Sequence, residues 1–341
     1  MKTKYIYKIL IVFTEQYSSV ISIIFVNINF GRGFMIYPLH FEQKIGFDQI
    51  RQYLKNECLS TLGSEKVDKI SFSSKYETIL EYLRRAQEYQ RISTEDDTFP
   101  DCHFYDLKPS LKKIRIEGIW LDESELLALR QSLESIRKIV IFFKNEDKTN
   151  KYPCLSLLAS ETPVFPEIIK KVDTILTPEG EIKDNASPEL SDIRKELSST
   201  SNSVSRKMSQ ILRKAQLDGF VDKDTVPGMR EGRLVLPVSP MYKRKIKGIV
   251  HDESATGKTI FIEPEELVDI NNRIRELQNE ERREIIKILI QITDKIRPFA
   301  FEMISSYELL AEIDFLRAKS IFSKTIGAIK PDFINEPCIE F

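Results

Sequence analysis

The sequence predicts a mainly α fold: a helical core, a long antiparallel two-helix lever, and a small antiparallel β clamp inserted between the lever helices. Three observations predict it. Between Met229 and Ile270 lie short runs rich in β-branched residues, Arg233–Val238, Lys247–Val250 and Thr259–Ile262, at the spacing of a small antiparallel meander. A heptad-like apolar stripe runs on each side of this block. Elsewhere apolar residues recur at helical spacing, with Pro and Gly between the patterns.

A chain of 341 residues has room for two or three domains of about 100–200 residues each. Hydrophobic content of 41% and charged content of 30% allow a real core under much solvated helical surface. The formal net charge is −1, so global charge names no partner and only a local patch can. Cys58, Cys102, Cys154 and Cys338 are scattered without a CxxC pair, which reads as reduced thiols in a reducing, cytoplasmic setting. Tyr5–Phe30 is apolar, but Lys8, Glu15 and Asn27 interrupt it, leaving it short of the roughly 18 apolar residues of a membrane span. Gly31-Arg32-Gly33-Phe34 is a poor signal-peptidase site. Residues 1–34 are therefore expected to be an extension outside the fold, with Met35 opening the domain proper.

Residues 35–173 read as the helical core. Ile45, Phe47, Ile50, Tyr53, Leu54, Cys58 and Leu62 mark a first helix, with Gly63 placed to end it. Ile79, Leu83, Ala86 and Tyr89 mark a second. Asp122 or Ser124 caps a third, carrying Leu126, Leu129, Leu133, Ile136 and Val140. Phe142–Tyr152 reads as a charged loop, and Trp120 with the Tyr and Phe residues of this region as core. Residues 174–186 form a short β excursion turning at Glu179-Gly180. Ser187-Pro188-Glu189 is a helix start, and Leu190, Leu197, Val204 and Ile211 recur at sevens behind it. This outgoing lever helix covers 187–218, the β clamp 219–264 and the returning helix 265–298, on which Leu267, Ile270, Ile274 and Leu277 precede Ile285, Ile288 and Ile292. Roughly thirty residues per arm give a stalk on the order of 45 Å. Residues 299–341 return to the core.

Ala255-Thr256-Gly257-Lys258-Thr259 resembles the end of a phosphate-binding loop. The leading glycine of that motif would fall at Asp252, and a β run follows instead of a helix, so a hairpin turn is expected. Lys243, Arg244, Lys245, Lys247 and Lys258 face two acidic residues between Met241 and Lys258. Such a basic loop can meet nucleic-acid phosphates without reading bases, but charge alone does not separate that from a solvated turn. His251 beside Asp252, with Glu263 and Glu265 near, has no triad or metal spacing around it and reads as a hydrogen-bonding turn residue. His40 and His103 likewise lack ligand-like neighbours.

The run Gly248-Ile249-Val250-His251-Asp252, continuing through Ser254-Ala255, Gly257, Thr259 and Phe261-Ile262-Glu263-Pro264 to Asn271-Asn272 and Leu277, closely resembles the clamp and returning lever of the MutS family. The likeness is to its bacterial MutS-two branch, which lacks mismatch-reading domains. Asn185-Ala186-Ser187-Pro188-Glu189-Leu190 resembles the outgoing lever, and Phe47–Leu54 the family's opening. The resemblance covers about 35–341. It implies a helical core, levers and clamp that encircle DNA, duplex or branched, through its phosphates as part of a homodimer. A following ATPase domain, holding ATP and Mg, and often an Smr nuclease domain are also implied. Neither motif set is present in this sequence, so no catalytic residue and no cofactor is assigned to it. The expected phosphate contacts are Lys243, Arg244, Lys245, Lys247 and Lys258, then Arg230 and Arg233. Roles in recombination control or in ribosome rescue, with the ribosome as partner, are both implied for the family.

Overall fold

The computed structural model describes residues 40–73 and 75–335. The expected extension over 1–34, Met35 and Cys338 lie outside them. In chain order the elements are α1 (Phe41–Lys44), α2 (Phe47–Glu57), α3 (Thr61–Asp68), α4 (Tyr76–Glu95), α5 (Lys108–Lys113), α6 (Glu123–Phe143), α7 (Glu146–Lys151), α8 (Pro153–Ser160), α9 (Pro166–Ile175), α10 (Pro188–Leu217), β1 (Gly228–Arg230), β2 (Arg233–Val238), β3 (Gly248–Glu253), β4 (Ile260–Pro264), α11 (Glu265–Ile296) and α12 (Ala300–Thr325). The fold is mainly α with one small antiparallel sheet, as the sequence predicts. The described residues divide into two compact units, one holding those up to Val172 and from Lys295 onward, the other Asp173–Asp294.

In the first unit α12 is the central helix, packed against α2, α3, α4 and α5. Leu309, Leu310, Ala311 and Ile313 are all buried, so α12 is apolar around most of its circumference, as a helix surrounded by others must be. Its buried polar residues include Ser306, Glu312, Asp314 and Ser320. Asp314, fully buried, accepts the backbone N–H groups of Leu59 (2.9 Å) and Ser60 (3.0 Å) and the Ser60 hydroxyl (2.6 Å). It thereby anchors the chain entering α3, where Ser60 itself is the cap, its hydroxyl accepting the Gly63 N–H at 3.2 Å. Gly63 does not end a helix as the sequence suggests. It lies inside α3, where a Cβ would collide with the Asp314 carboxylate. Glu88 of α4 caps α8 from outside, accepting the first-turn Cys154 N–H (3.0 Å) and Leu155 N–H (2.9 Å).

Asp122 caps α6 in a reciprocal capping box with Glu125, the arrangement its spacing predicts. The stretch expected to be a charged loop contains α7, started by Asn145, whose side chain accepts the Asp147 N–H. Trp120 is not core. It is 38% exposed, beside Ile116 and Ile119, which are also exposed.

In the second unit, Leu176 and Ile182 form a single antiparallel bridge around a turn at Gly180. Ser187 then caps α10, accepting the Leu190 N–H at 3.0 Å. α10 and α11 run antiparallel, as the order of their contacts requires. The Ser187 hydroxyl donates to Glu284 (2.9 Å), Arg194 Nε to Glu281 (2.7 Å) and Arg273 Nε to Glu196 (2.9 Å). Farther along, Met208 and Ala215 share an apolar cluster with Leu267. Leu190, Val204, Met208 and Ala215 form the buried stripe of α10, and Leu267, Leu277, Ile288 and Ile292 that of α11.

The strand order is β1-β2-β4-β3, which corrects the expected meander. β2 pairs with β4 through Leu236↔Ile262 and Val238↔Ile260, and β4 then pairs with β3. Burial decides the order. Ile260, Ile262 and Glu263 of β4 are buried, whereas every residue of β3 except His251 is exposed, so β4 takes the middle and β3 the edge. Val238 lies opposite the start of β4 and Gly248 opposite its end. The connection over residues 239–247 therefore runs the length of β4.

Candidate nucleic-acid interface

That long connection carries most of the basic residues singled out in the sequence. Tyr242 and Ile246, one helical turn apart in sequence, pack on the cluster formed by Met208, Ala215, Leu236, Val238, Ile260, Ile262 and Leu267. The Tyr242 ring also meets Phe220 at 5.5 Å between centroids. With those two residues held inward, Lys243, Arg244, Lys245 and Lys247 are exposed. Lys258 is exposed in the β3–β4 turn. That turn is closed by Gly257 N–H to Ser254 O (2.7 Å) and Ser254 N–H to Thr259 O (2.8 Å). β4 follows it directly, so Gly257-Lys258-Thr259 is a hairpin turn and opens no helix. None of these five cations makes an ion pair or a side-chain hydrogen bond among the described residues.

Arg230 and Arg233 are placed differently. Arg230 lies over the Phe261 ring, 3.8 Å from its centroid, and its Nε donates to Asp252 at 3.1 Å. Arg233 Nη1 donates to both oxygens of Glu263 (2.7 and 2.9 Å), and Nη2 to Asn272 Oδ1 (2.6 Å). Its side chain is 14% exposed. With both amino groups occupied, Arg233 joins strand to helix.

Glu263, noted in the sequence only as a carboxylate near His251 and as part of the motif, is the residue whose role sequence reasoning missed. Fully buried on β4, it also accepts Asn271 Nδ2 (2.8 Å) and meets His251 Nε2 (2.5 Å). Burial alone would raise its pKa; the hydrogen bonds from Asn271, His251 and Arg233 outweigh that and hold it below the usual glutamate range. His251 is not in the turn. It sits within β3 at a bulge between Val250 and Asp252, which aims its ring across the hairpin. Gly248 lets β3 approach, since a Cβ there would collide with the Glu263 carbonyl. The sequence signal was present: an acid in the apolar run Ile260–Pro264 and an Arg opening the apolar run of β2. Opposite charges inside two β runs imply a buried pair.

Among the described residues no group of His, Cys, Asp and Glu is arranged to hold a metal. Among the described residues no helix is long and apolar enough to cross a membrane.

Over 285 residues the chain is 32% identical to Endonuclease MutS2 of Alkaliphilus oremlandii, a match covering 84% of this chain and 36% of that protein. Endonuclease MutS2 of Pelotomaculum thermopropionicum is 32% identical over 298 residues, covering 87% of this chain and 38% of that one. For the protein of the same name from Alkaliphilus metalliredigens the figures are 31% over 278 residues, 82% and 35%. The chain belongs to the MutS2 family. It spans little more than a third of the length of those MutS2 relatives, and no family model matches it. Within this MutS2 chain, Gly248, His251, Glu263, Asn271 and Asn272 of the quoted motif meet at one place. They form the joint between the sheet and α11, next to the basic connection and distinct from it.

Proposed function

We propose that the unit formed by α10, the four-stranded sheet and α11 is a sequence-independent nucleic-acid clamp. The observation that carries this reading is the contrast between two sets of cations. Lys243, Arg244, Lys245, Lys247 and Lys258 are exposed without counter-ions, whereas Arg230 and Arg233 on the same sheet are neutralised internally. Unpaired, flexible cations neutralise phosphates by charge and carry no base information. The relatives' name, Endonuclease MutS2, supports a nucleic-acid substrate.

The sheet is joined to α11 through Arg233, Glu263, Asn271 and Asn272. In the whole protein this rigid joint would let the α10–α11 pair relay the state of an ATPase domain, with its ATP and Mg, to the clamp of a homodimer. Met241, 77% exposed, and Ile249, 49% exposed, flank the basic connection and favour a second reading, a protein or ribosomal partner.

Titration of the chain against two duplexes of equal length and unrelated sequence, a four-way junction and ribosomes tests the reading. Similar affinity for both duplexes supports it. Binding to ribosomes alone would replace it with the second.

A further inference from the structure

The sheet-proximal part of α10 holds a second set of unpaired cations. The chain contains 52 Asp and Glu in 341 residues, yet none falls between Leu197 and Leu217, where Arg206, Lys207, Arg213 and Lys214 all do. All four are exposed. None makes an ion pair among the described residues, and the one side-chain bond is from Arg206 Nε to Asn202 O of the same helix, at 3.4 Å.

The other half of the helix pair is built differently. Arg194 pairs with Asp184 and Glu281, Lys195 with Asp192, and Arg273 with Glu196, Glu276 and Glu280. A solvated helix face kept only for solubility mixes both signs in this way.

Helical geometry sets the pattern. Met208, Ile211, Leu212 and Ala215 face the apolar cluster, which turns Arg206 and Arg213, and Lys207 and Lys214, toward solvent as two pairs seven residues apart. Seven residues rise about 10.5 Å along a helix, close to three steps of about 3.4 Å along one nucleic-acid strand. Exposed Ser209 and Gln210 lie between them, with exposed Ser205 just ahead, and belong to the classes that also bond phosphate oxygens. The helix dipole accounts for Lys214 in the last turn. It does not account for Arg206 and Lys207, about two turns earlier.

We infer that Arg206, Lys207, Arg213 and Lys214 form a second phosphate-binding stripe, so that nucleic acid held by the clamp also runs along the outer face of α10. The inference rests on the clamp reading and extends the contact surface from the sheet onto the lever.

The test compares the full chain with two variants. One carries Arg206→Gln, Lys207→Gln, Arg213→Gln and Lys214→Gln; the other carries Gln at Lys243, Arg244, Lys245 and Lys247. Binding of a duplex is measured at several salt concentrations, with poly-glutamate of similar charge as a second probe. A charge-retaining variant, Arg206→Lys with Arg213→Lys, controls for folding, alongside thermal melts. The stripe variant is expected to bind duplex at least about tenfold more weakly at low salt, with a log–log salt slope shallower by about one per lost contact. The charge-retaining variant should keep the parent slope. If the stripe variant matches the parent while the connection variant does not, the stripe is overturned and the clamp reading stands. If the parent fails to bind duplex, both fall. Stripe-dependent binding of poly-glutamate without duplex binding would assign the stripe to an acidic protein instead.

Discussion

His251 and Glu263 are joined across the β3–β4 hairpin by a 2.5 Å hydrogen bond, and the same carboxylate takes Arg233 from β2 and Asn271 from α11. One buried side chain therefore fixes two strands and a helix relative to each other. Removing one partner of a buried ion pair typically costs about 3–5 kcal/mol, because the remaining charge is stranded. Arg233→Met is expected to destabilise the second unit by about that amount, measured as a fall in the denaturant midpoint. A loss under about 1 kcal/mol, the value of a surface pair, would show that the network does not hold the joint.

The same carboxylate gives the joint an acid dependence. Its folded pKa lies below the unfolded value of about 4.3. The stabilisation it contributes is therefore fully present above that pH and is lost as pH falls through the folded value. Glu263→Gln should flatten this acid limb of the stability profile while lowering stability near neutrality. An unchanged limb would place the titrating group elsewhere.

Gly248 and Gly63 should be intolerant of alanine for different reasons. At Gly248 the obstacle is the backbone carbonyl of Glu263, and at Gly63 the Asp314 carboxylate that holds the chain entering α3. Overpacking of this kind costs about 1–3 kcal/mol. Amide exchange should rise in β3 for Gly248→Ala and in α3 for Gly63→Ala. Protection unchanged at these elements would mean the neighbours give way freely.

The Cys58 and Cys102 thiols should be slow to react while the chain is folded. Burial, with the Asp314 carboxylate nearby, pushes Cys58 up to about 11, and burial pushes Cys102 up to about 12. Since the thiolate is the nucleophile, alkylation near pH 8 should be slow at both and fast after unfolding, read by peptide mass. Rapid labelling of Cys102 in the native state would contradict its placement.

What could be read from the sequence was whatever depends on neighbours along the chain. Ser187-Pro188-Glu189 announced α10, Asp122 and Glu125 their capping box, and the heptad stripe the helix that pairs. What could not be read depends on residues far away. Gly63 looks like a terminator until Asp314, some 250 residues on, is seen packed against it with no room for a side chain. Strand order was hidden for the same reason, since the runs reveal that they are strands but not that β4 is buried most. α7 stayed hidden because its sequence is polar all round, and only its cap at Asn145 marks it. At the interface, the basic connection was legible from composition. The separation of its free cations from the occupied Arg233 required Glu263 and Asn272 to be seen beside it.

The most direct measurement of the central claim is the salt dependence of duplex binding by the parent chain and by a variant with Gln at Lys243, Arg244, Lys245, Lys247 and Lys258. If these cations hold phosphates, the parent shows a steep negative slope of log affinity against log salt. The variant's slope is then shallower by nearly one for each contact removed, equally for unrelated sequences. Identical slopes for parent and variant would contradict the account.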